Sequence, residues 1–171
     1  MIFNLYFCWA MSLRITKGKK EHCKALLELI QELADFEKAP NEVSVSLTQL
    51  EEDGFGINPI YEFFVALEDE VVIGIALFYE KYSTWKGRSL YLEDLIVTEK
   101  KRGIGAGKLL FENVMQEAKR RNSGRMEWQV LDWNETAIQF YKKYQAVLDG
   151  EWLNAQFRSE QLQSIKCDES I

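Results

Sequence analysis

Arg102-Gly103-Ile104-Gly105-Ala106-Gly107 stands between residues 90–97, which read as a β-strand, and residues 108–121, which read as a helix. Three glycines in six positions at a strand-to-helix junction restrict what the chain can build. Without Cβ atoms a tight turn can bring backbone N–H groups close to a ligand, and the helix start adds unpaired donors and partial positive charge. The position reads as an anion cradle with phosphate as its natural guest, and Arg102 at the entrance adds a charge. A glycine-rich turn with no ligand is the alternative.

Two phosphate loops are excluded by spacing. A P-loop needs Gly, four residues, then Gly-Lys-Ser/Thr, but counting back from Gly107-Lys108 reaches Arg102, and Leu109 stands where the hydroxyl belongs. The dinucleotide pattern G-x-G-x-x-G meets Lys108 at its third glycine when started at Gly103, and Leu110 when started at Gly105. What remains is Arg-x-x-Gly-x-Gly after a strand.

The rest of the chain narrows the class. Its 171 residues are enough for one domain with a substantial core, and 47% hydrophobic with 28% charged residues is an ordinary globular balance. A formal net charge of −6 argues against nucleic acid and suits a cationic small molecule. Cys8, Cys23 and Cys167 are odd in number, widely spaced and without zinc spacing, which predicts reduced thiols, no metal and a cytoplasmic location. The single His22 opens a helix and reads as a surface residue. Residues 1–10 are apolar but carry no basic leader and are too short to span a bilayer. With Met11 following, residues 1–11 are expected to be an upstream or non-native extension, and residues 12–171 a single domain.

Along the chain, residues 12–15 read as a first strand and residues 19–36 as an amphipathic helix with Leu26, Leu29, Ile30 and Leu33 on one face. Residues 46–52 form a second helix opened by Ser46, and Asp53-Gly54-Phe55-Gly56 with Pro59 a turn. Residues 61–67, 71–79 and 90–97 read as a three-stranded meander, followed by the glycine loop and its helix. Residues 126–130 then read as a strand, 135–144 as a helix, 146–148 and 153–158 as closing strands, and 159–164 as a terminal turn. The expected fold class is α/β, one unit with a mixed sheet.

The loop and this order of elements resemble the GNAT superfamily of acetyl-coenzyme A-dependent N-acyltransferases, whose mixed, mostly antiparallel central sheet is flanked by helices. Tyr91-Leu92-Glu93-Asp94, the segment Glu52-Asp53-Gly54-Phe55-Gly56 with Pro59 and Tyr61, Trp133-Asn134-Glu135 and Phe140-Tyr141-Lys142 are similar to the diamine acetyltransferase branch, which includes spermidine/spermine and thialysine acetyltransferases. The likeness runs over residues 14–157. It implies an acyltransferase that moves acetyl from acetyl-CoA to the primary amine of a small polyamine or amino-acid-like substrate by direct attack. It also implies a homodimer with the closing strands near the subunit contact.

By the same resemblance Arg102, Gly103, Ile104, Gly105, Ala106, Gly107 and Lys108 bind the coenzyme pyrophosphate, while Leu95, Ile96 and Val97 offer backbone partners to the acetyl carbonyl and pantetheine arm. Asn134, Glu135, Thr136 and Ala137 complete the cofactor site. Tyr141 is the general acid for the departing thiolate, and Glu93 recognises the amine and passes its proton away. Phe36-Glu37 matches an aromatic-plus-Glu substrate pair, and Asp94, Trp85, Glu151 and Trp152 join the substrate residues.

These roles also make chemical sense. An alkyl ammonium with a pKa of about 10.4 must lose a proton before its nitrogen can attack a thioester, so an acidic group belongs beside it. Glu93 interrupts an apolar strand, and partial burial would raise its carboxyl towards the range of a base. A phenol such as Tyr141 eases expulsion of the thiolate. Against this, Glu93 and Asp94 also read as a surface pair beside a bulge, Tyr141 as part of an aromatic core stripe, Trp85 and Trp152 as packing residues, and Glu37 as a solvated helix end.

Two departures stand out. Ser83-Thr84-Trp85 replaces the Asp-Pro-Trp common in the diamine branch, which removes a carboxylate for a distal ammonium and leaves room for shorter diamines or thialysine-like amino acids. Gln145 replaces the glycine expected after Phe-Tyr-Lys-x-x, so another helix termination is expected there. Rival readings are an acetyltransferase for protein lysines or N-termini, a non-catalytic coenzyme A-binding module, and an interaction domain with an empty loop.

Overall fold

Five strands form one sheet in the order β1-β2-β3-β4-β5, antiparallel except for the last pair. They are β1 (Leu13–Lys17), β2 (Glu62–Glu68), β3 (Val71–Ser83), β4 (Gly87–Val97) and β5 (Arg125–Glu127). The structure, a computed structural model, describes residues 13–165; the extension expected at residues 1–11, with Cys8 and Cys167, lies outside them. These residues fall into two compact units divided after Gln129.

In the first unit the sheet has two buried faces, as strand alternation requires. On one face Phe63, Val65, Leu67, Ile75, Leu77 and Ile96 join Leu26 and Leu29 of α1 (Cys23–Phe36) and Leu50 of α2 (Leu47–Phe55) in a single core cluster. The opposite register of β2 and β3 buries Phe64, Ala66, Ala76 and Phe78, and α3 (Ala106–Arg120) buries Leu110, Phe111 and Val114. The mixed, mostly antiparallel sheet with flanking helices expected from the sequence is the architecture that forms.

Local chemistry explains the boundaries. Ser46 caps α2 by accepting the Gln49 N–H at 3.2 Å. This helix runs on to Phe55, so Asp53 and Gly54, expected in a turn, are helical. The first helix is shorter than expected, since Lys20–His22 is a separate 3-10 turn before α1. Asp69 (φ 48°) and Glu70 (φ 67°) give the two left-handed residues of a tight hairpin between β2 and β3. At the β3–β4 hairpin, Ser83 Oγ accepts the N–H groups of Trp85 and Lys86 at 3.3 and 3.2 Å, and Gly87 (φ 73°) closes the turn.

The second unit contains α4 (Glu135–Lys142) and α5 (Ser159–Ser164). The closing strands expected at residues 146–148 and 153–158 are not formed: Val147 and Leu153 are 92% and 93% exposed, and their apolar pattern has no neighbouring strand to pair with. Gln145 does not avoid the left-handed termination but adopts it, at φ 59°. The Ala146 N–H donates to Tyr141 O at 3.3 Å and the Gln145 N–H to Lys142 O at 2.9 Å, so the helix ends as it would with glycine.

Candidate active site

After β4 the chain makes a 3-10 turn, Glu99–Lys101, and enters the glycine loop. Gly103 (φ 85°) and Gly105 (φ 91°) are both left-handed, and a Cβ at either would meet nothing within 4 Å, so conformation rather than space demands glycine. The Arg102 N–H donates to Glu99 O at 3.2 Å, and the next amide with a backbone acceptor outside the helix ladder is that of Leu109, to Gly105 O at 3.1 Å. Among the described residues the amides of 103–108 have no such partner. They form a row of free donors at the positive end of a 15-residue helix. An anion is what such a row holds.

The sheet opens beside this loop. β5 pairs with β4 at Ser89, Leu90 and Tyr91 only, so from Leu92 to Val97 the main-chain groups that do not face β3 have no strand partner among the described residues. Leu95, Ile96 and Val97 lie on this open edge, and Val97 O accepts the Arg102 Nε–H at 3.1 Å. An extended chain with amide groups can pair with an edge of this kind.

A bulge sets the acidic groups. Leu77 lies opposite Asp94 and Phe78 opposite Leu92, which leaves Glu93 as the extra residue. Its carboxylate is exposed and hydrogen-bonded to the Tyr79 phenol; burial first, and Glu93 second, push that phenol up to about 12. The Tyr79 and Tyr91 rings stand 5.3 Å apart beside it. The burial expected at Glu93 falls on its neighbour: Asp94 is raised to about 6 by burial, then by the charges of Glu93 and Glu37. The Glu37 carboxyl, at the end of α1, is itself raised by loss of water. Three carboxylates thus share one neighbourhood, which suits an ammonium ion.

Phe36, Glu37, Glu93, Asp94 and Arg102 are brought together in this unit; the Arg102 guanidinium lies over the Phe36 ring, 5.3 Å from its centroid. Trp85 is not among them. It is 79% exposed at the hairpin tip, and the strand from Gly87 to Glu93 spans roughly 20 Å. In the other unit Tyr141 is buried on α4, and burial raises its phenol to about 12, so the phenol stays neutral at physiological pH. Asn134 caps α4, its Oδ1 accepting the Ala137 N–H at 3.2 Å, with Glu135 and Thr136 in the first turn. Glu151 and Trp152 lie exposed in irregular chain. No group of three His, Cys, Asp or Glu among the described residues could hold a metal ion. Sequence reasoning missed Tyr79, which reads as one more apolar strand position, and Glu32, whose Oε1 accepts the backbone N–H of Glu99.

Residues 24–146 match the Acetyltransferase (GNAT) family. The chain is 34% identical over 165 residues to a thialysine N-epsilon-acetyltransferase of Mus musculus, covering 90% of this chain and 97% of that one. It is 31% identical to a human spermidine/spermine N(1)-acetyltransferase-like protein 1, covering 91% of this chain and 24% of that protein. Among solved structures, an integron cassette protein from the mobile metagenome of V. cholerae superposes with a TM-score of 0.72 at 26% identity, over 90% of this chain and 96% of that one. An aminoglycoside N-acetyltransferase in complex with CoA shares the fold, with a TM-score of 0.69 at 17% identity over 86% and 96% of the two chains.

Proposed function

This chain belongs to the GNAT acetyltransferase family, and from that premise we propose that it acetylates the primary amine of a small polyamine or amino-acid-like molecule with acetyl-CoA. The observation that carries the reading is the bulge, which sets Glu93 beside Asp94 and near Glu37 at the start of an open strand edge leading to the glycine loop. Acetyl-CoA supplies the thioester. Arg102 and the amides of 103–108 would hold its pyrophosphate, the free edge at Leu95, Ile96 and Val97 its pantetheine arm, and Asn134, Glu135, Thr136 and Ala137 the remainder.

The acidic group at Glu37, Glu93 and Asp94 attracts the alkyl ammonium. Glu93 accepts its proton, through water, so that the neutral nitrogen can attack the thioester directly. Tyr141 holds a proton ready for the departing sulfur, and the height of its pKa keeps that proton in place. Glu151, Trp152 and Trp85 remain proposed substrate contacts. The proposal includes a cytoplasmic enzyme, which suits the free buried thiol of Cys23. It also includes a homodimer, supported by exposed Val147, Trp152 and Leu153.

Release of coenzyme A thiol with putrescine, spermidine, lysine and thialysine tests the reading. Turnover with at least one of them, with Glu93→Gln lowering the rate and shifting its pH profile, is the expected result. Activity on lysine-containing peptides alone would instead establish a protein acetyltransferase.

A further inference from the structure

Two residues of α1, one turn apart and so on one face of the helix, reach the segment that carries the glycine loop. Glu32 Oε1 accepts the backbone N–H of Glu99 at 2.7 Å across 67 residues of sequence. Glu99 opens the 3-10 turn before the loop, and Thr98, at the capping position, makes no side-chain cap of its own. The helix therefore supplies from a distance the acceptor that the turn lacks locally. One turn further on, the Phe36 ring lies under the guanidinium of Arg102, whose Nε–H is already donated to Val97 O.

We propose that Glu32 and Phe36 are positioning residues for the coenzyme: they fix the turn and hold the Arg102 guanidinium ready for the pyrophosphate. The inference rests on the reading of the loop given under Proposed function. An arginine carries five N–H donors. Arg102 has committed one, and among the described residues no carboxylate lies within ion-pair distance of it, whereas the adjacent Lys101 is paired with Glu68. An aromatic face suits this task better than a carboxylate, because it attracts a planar cation without occupying the N–H edge or cancelling the charge that phosphate needs. Fixing the side chain beforehand also reduces the ordering cost of binding. This gives a reason for Phe36, an aromatic residue 39% exposed at a helix end.

The arrangement reassigns Phe36 from the amine to the coenzyme, while the next residue, Glu37, faces the acidic group around Asp94. One helix end thus joins the two halves of the site, and its contacts give each a fixed reference.

Calorimetric titration with coenzyme A tests the proposal on the wild type, Arg102→Ala, Phe36→Leu, their double variant, Phe36→Tyr and Glu32→Ala. Arg102→Ala is expected to weaken binding by about 10- to 100-fold, and Phe36→Leu by about two- to fivefold. The double variant should be no weaker than Arg102→Ala, and Phe36→Tyr should bind like the wild type. Glu32→Ala should also weaken coenzyme A and speed hydrogen exchange at the Glu99 amide. The KM for the amine at saturating acetyl-CoA should stay constant in Phe36→Leu. Wild-type affinity in Phe36→Leu, or a loss that adds in full to that of Arg102→Ala, would overturn the inference while leaving the function intact. Unchanged affinity in Arg102→Ala would overturn the loop reading itself, and the inference with it. Thermal melts confirm that each variant is folded.

Discussion

Asp94→Asn is the substitution whose outcome follows most closely from the structure. The Asp94 carboxyl is lifted from 3.8 to about 6 by burial and by the charges of Glu93 and Glu37. At about 1.36 kcal/mol per unit, this corresponds to an upper limit of about 3 kcal/mol by which ionised Asp94 opposes folding. Because the folded state binds this proton more tightly than the unfolded chain, the contribution of Asp94 to wild-type stability should fall as pH rises from about 4 to about 6 and level off above. Asparagine has the same shape and no charge, so the variant should lose that fall. The two proteins should be alike near pH 4 and differ by about 1–3 kcal/mol above pH 7, allowing for hydrogen bonds that asparagine makes less well. Urea unfolding at half-unit steps of pH reads this directly. A variant that follows the wild type across the series, or is less stable at pH 7.5, would refute the argument. The stabilised variant should also bind the amine more weakly, since the repulsion it relieves is what a cation would relieve.

Tyr141→Phe should lower kcat by about a hundredfold with little change in the KM for acetyl-CoA, measured by thiol release; and because the phenol sits at about 12, any alkaline limb below pH 9 should survive the substitution. Gln145→Gly should raise stability by about 0.5–1 kcal/mol in thermal melts, as relief of the left-handed φ of 59° exceeds the entropy glycine adds to the unfolded chain. Gly124→Ala should destabilise by about 2 kcal/mol in the same assay, because the new Cβ, just before β5, would collide with the backbone oxygen of Lys86.

The glycine loop was legible because its backbone needs residue types that few other conformations call for: the positive φ at Gly103 and Gly105 is where glycine is favoured, and the spacing from Arg102 sets it apart from other glycine-rich turns. The helices and the meander were legible from periodicity, since each has one apolar face to bury. The closing strands failed for the converse reason. Alternation at residues 146–148 and 153–158 records an apolar pattern, but a strand exists only where a partner supplies hydrogen bonds. The site was readable as far as its residue types and no further. That Glu93 is the bulged residue depends on a register between β3 and β4, and the burial that raises Asp94 follows from that register. Glu32 looks like any exposed helix carboxylate; its partner is a backbone N–H, which has no sequence signature. The resemblance gives Phe36 and Glu37 as one substrate pair, whereas their separate contacts, Phe36 with Arg102 and Glu37 with Asp94, depend on the tertiary fold and have no sequence signature.

Backbone-amide hydrogen exchange with and without coenzyme A tests the central claim most directly, because it reports on the donors themselves. The account predicts that the amides of residues 103–108 become protected, with weaker protection along the free edge of β4 at residues 95–97. Saturation with coenzyme A that left the exchange of 103–108 unchanged, with protection confined to other segments, would contradict it.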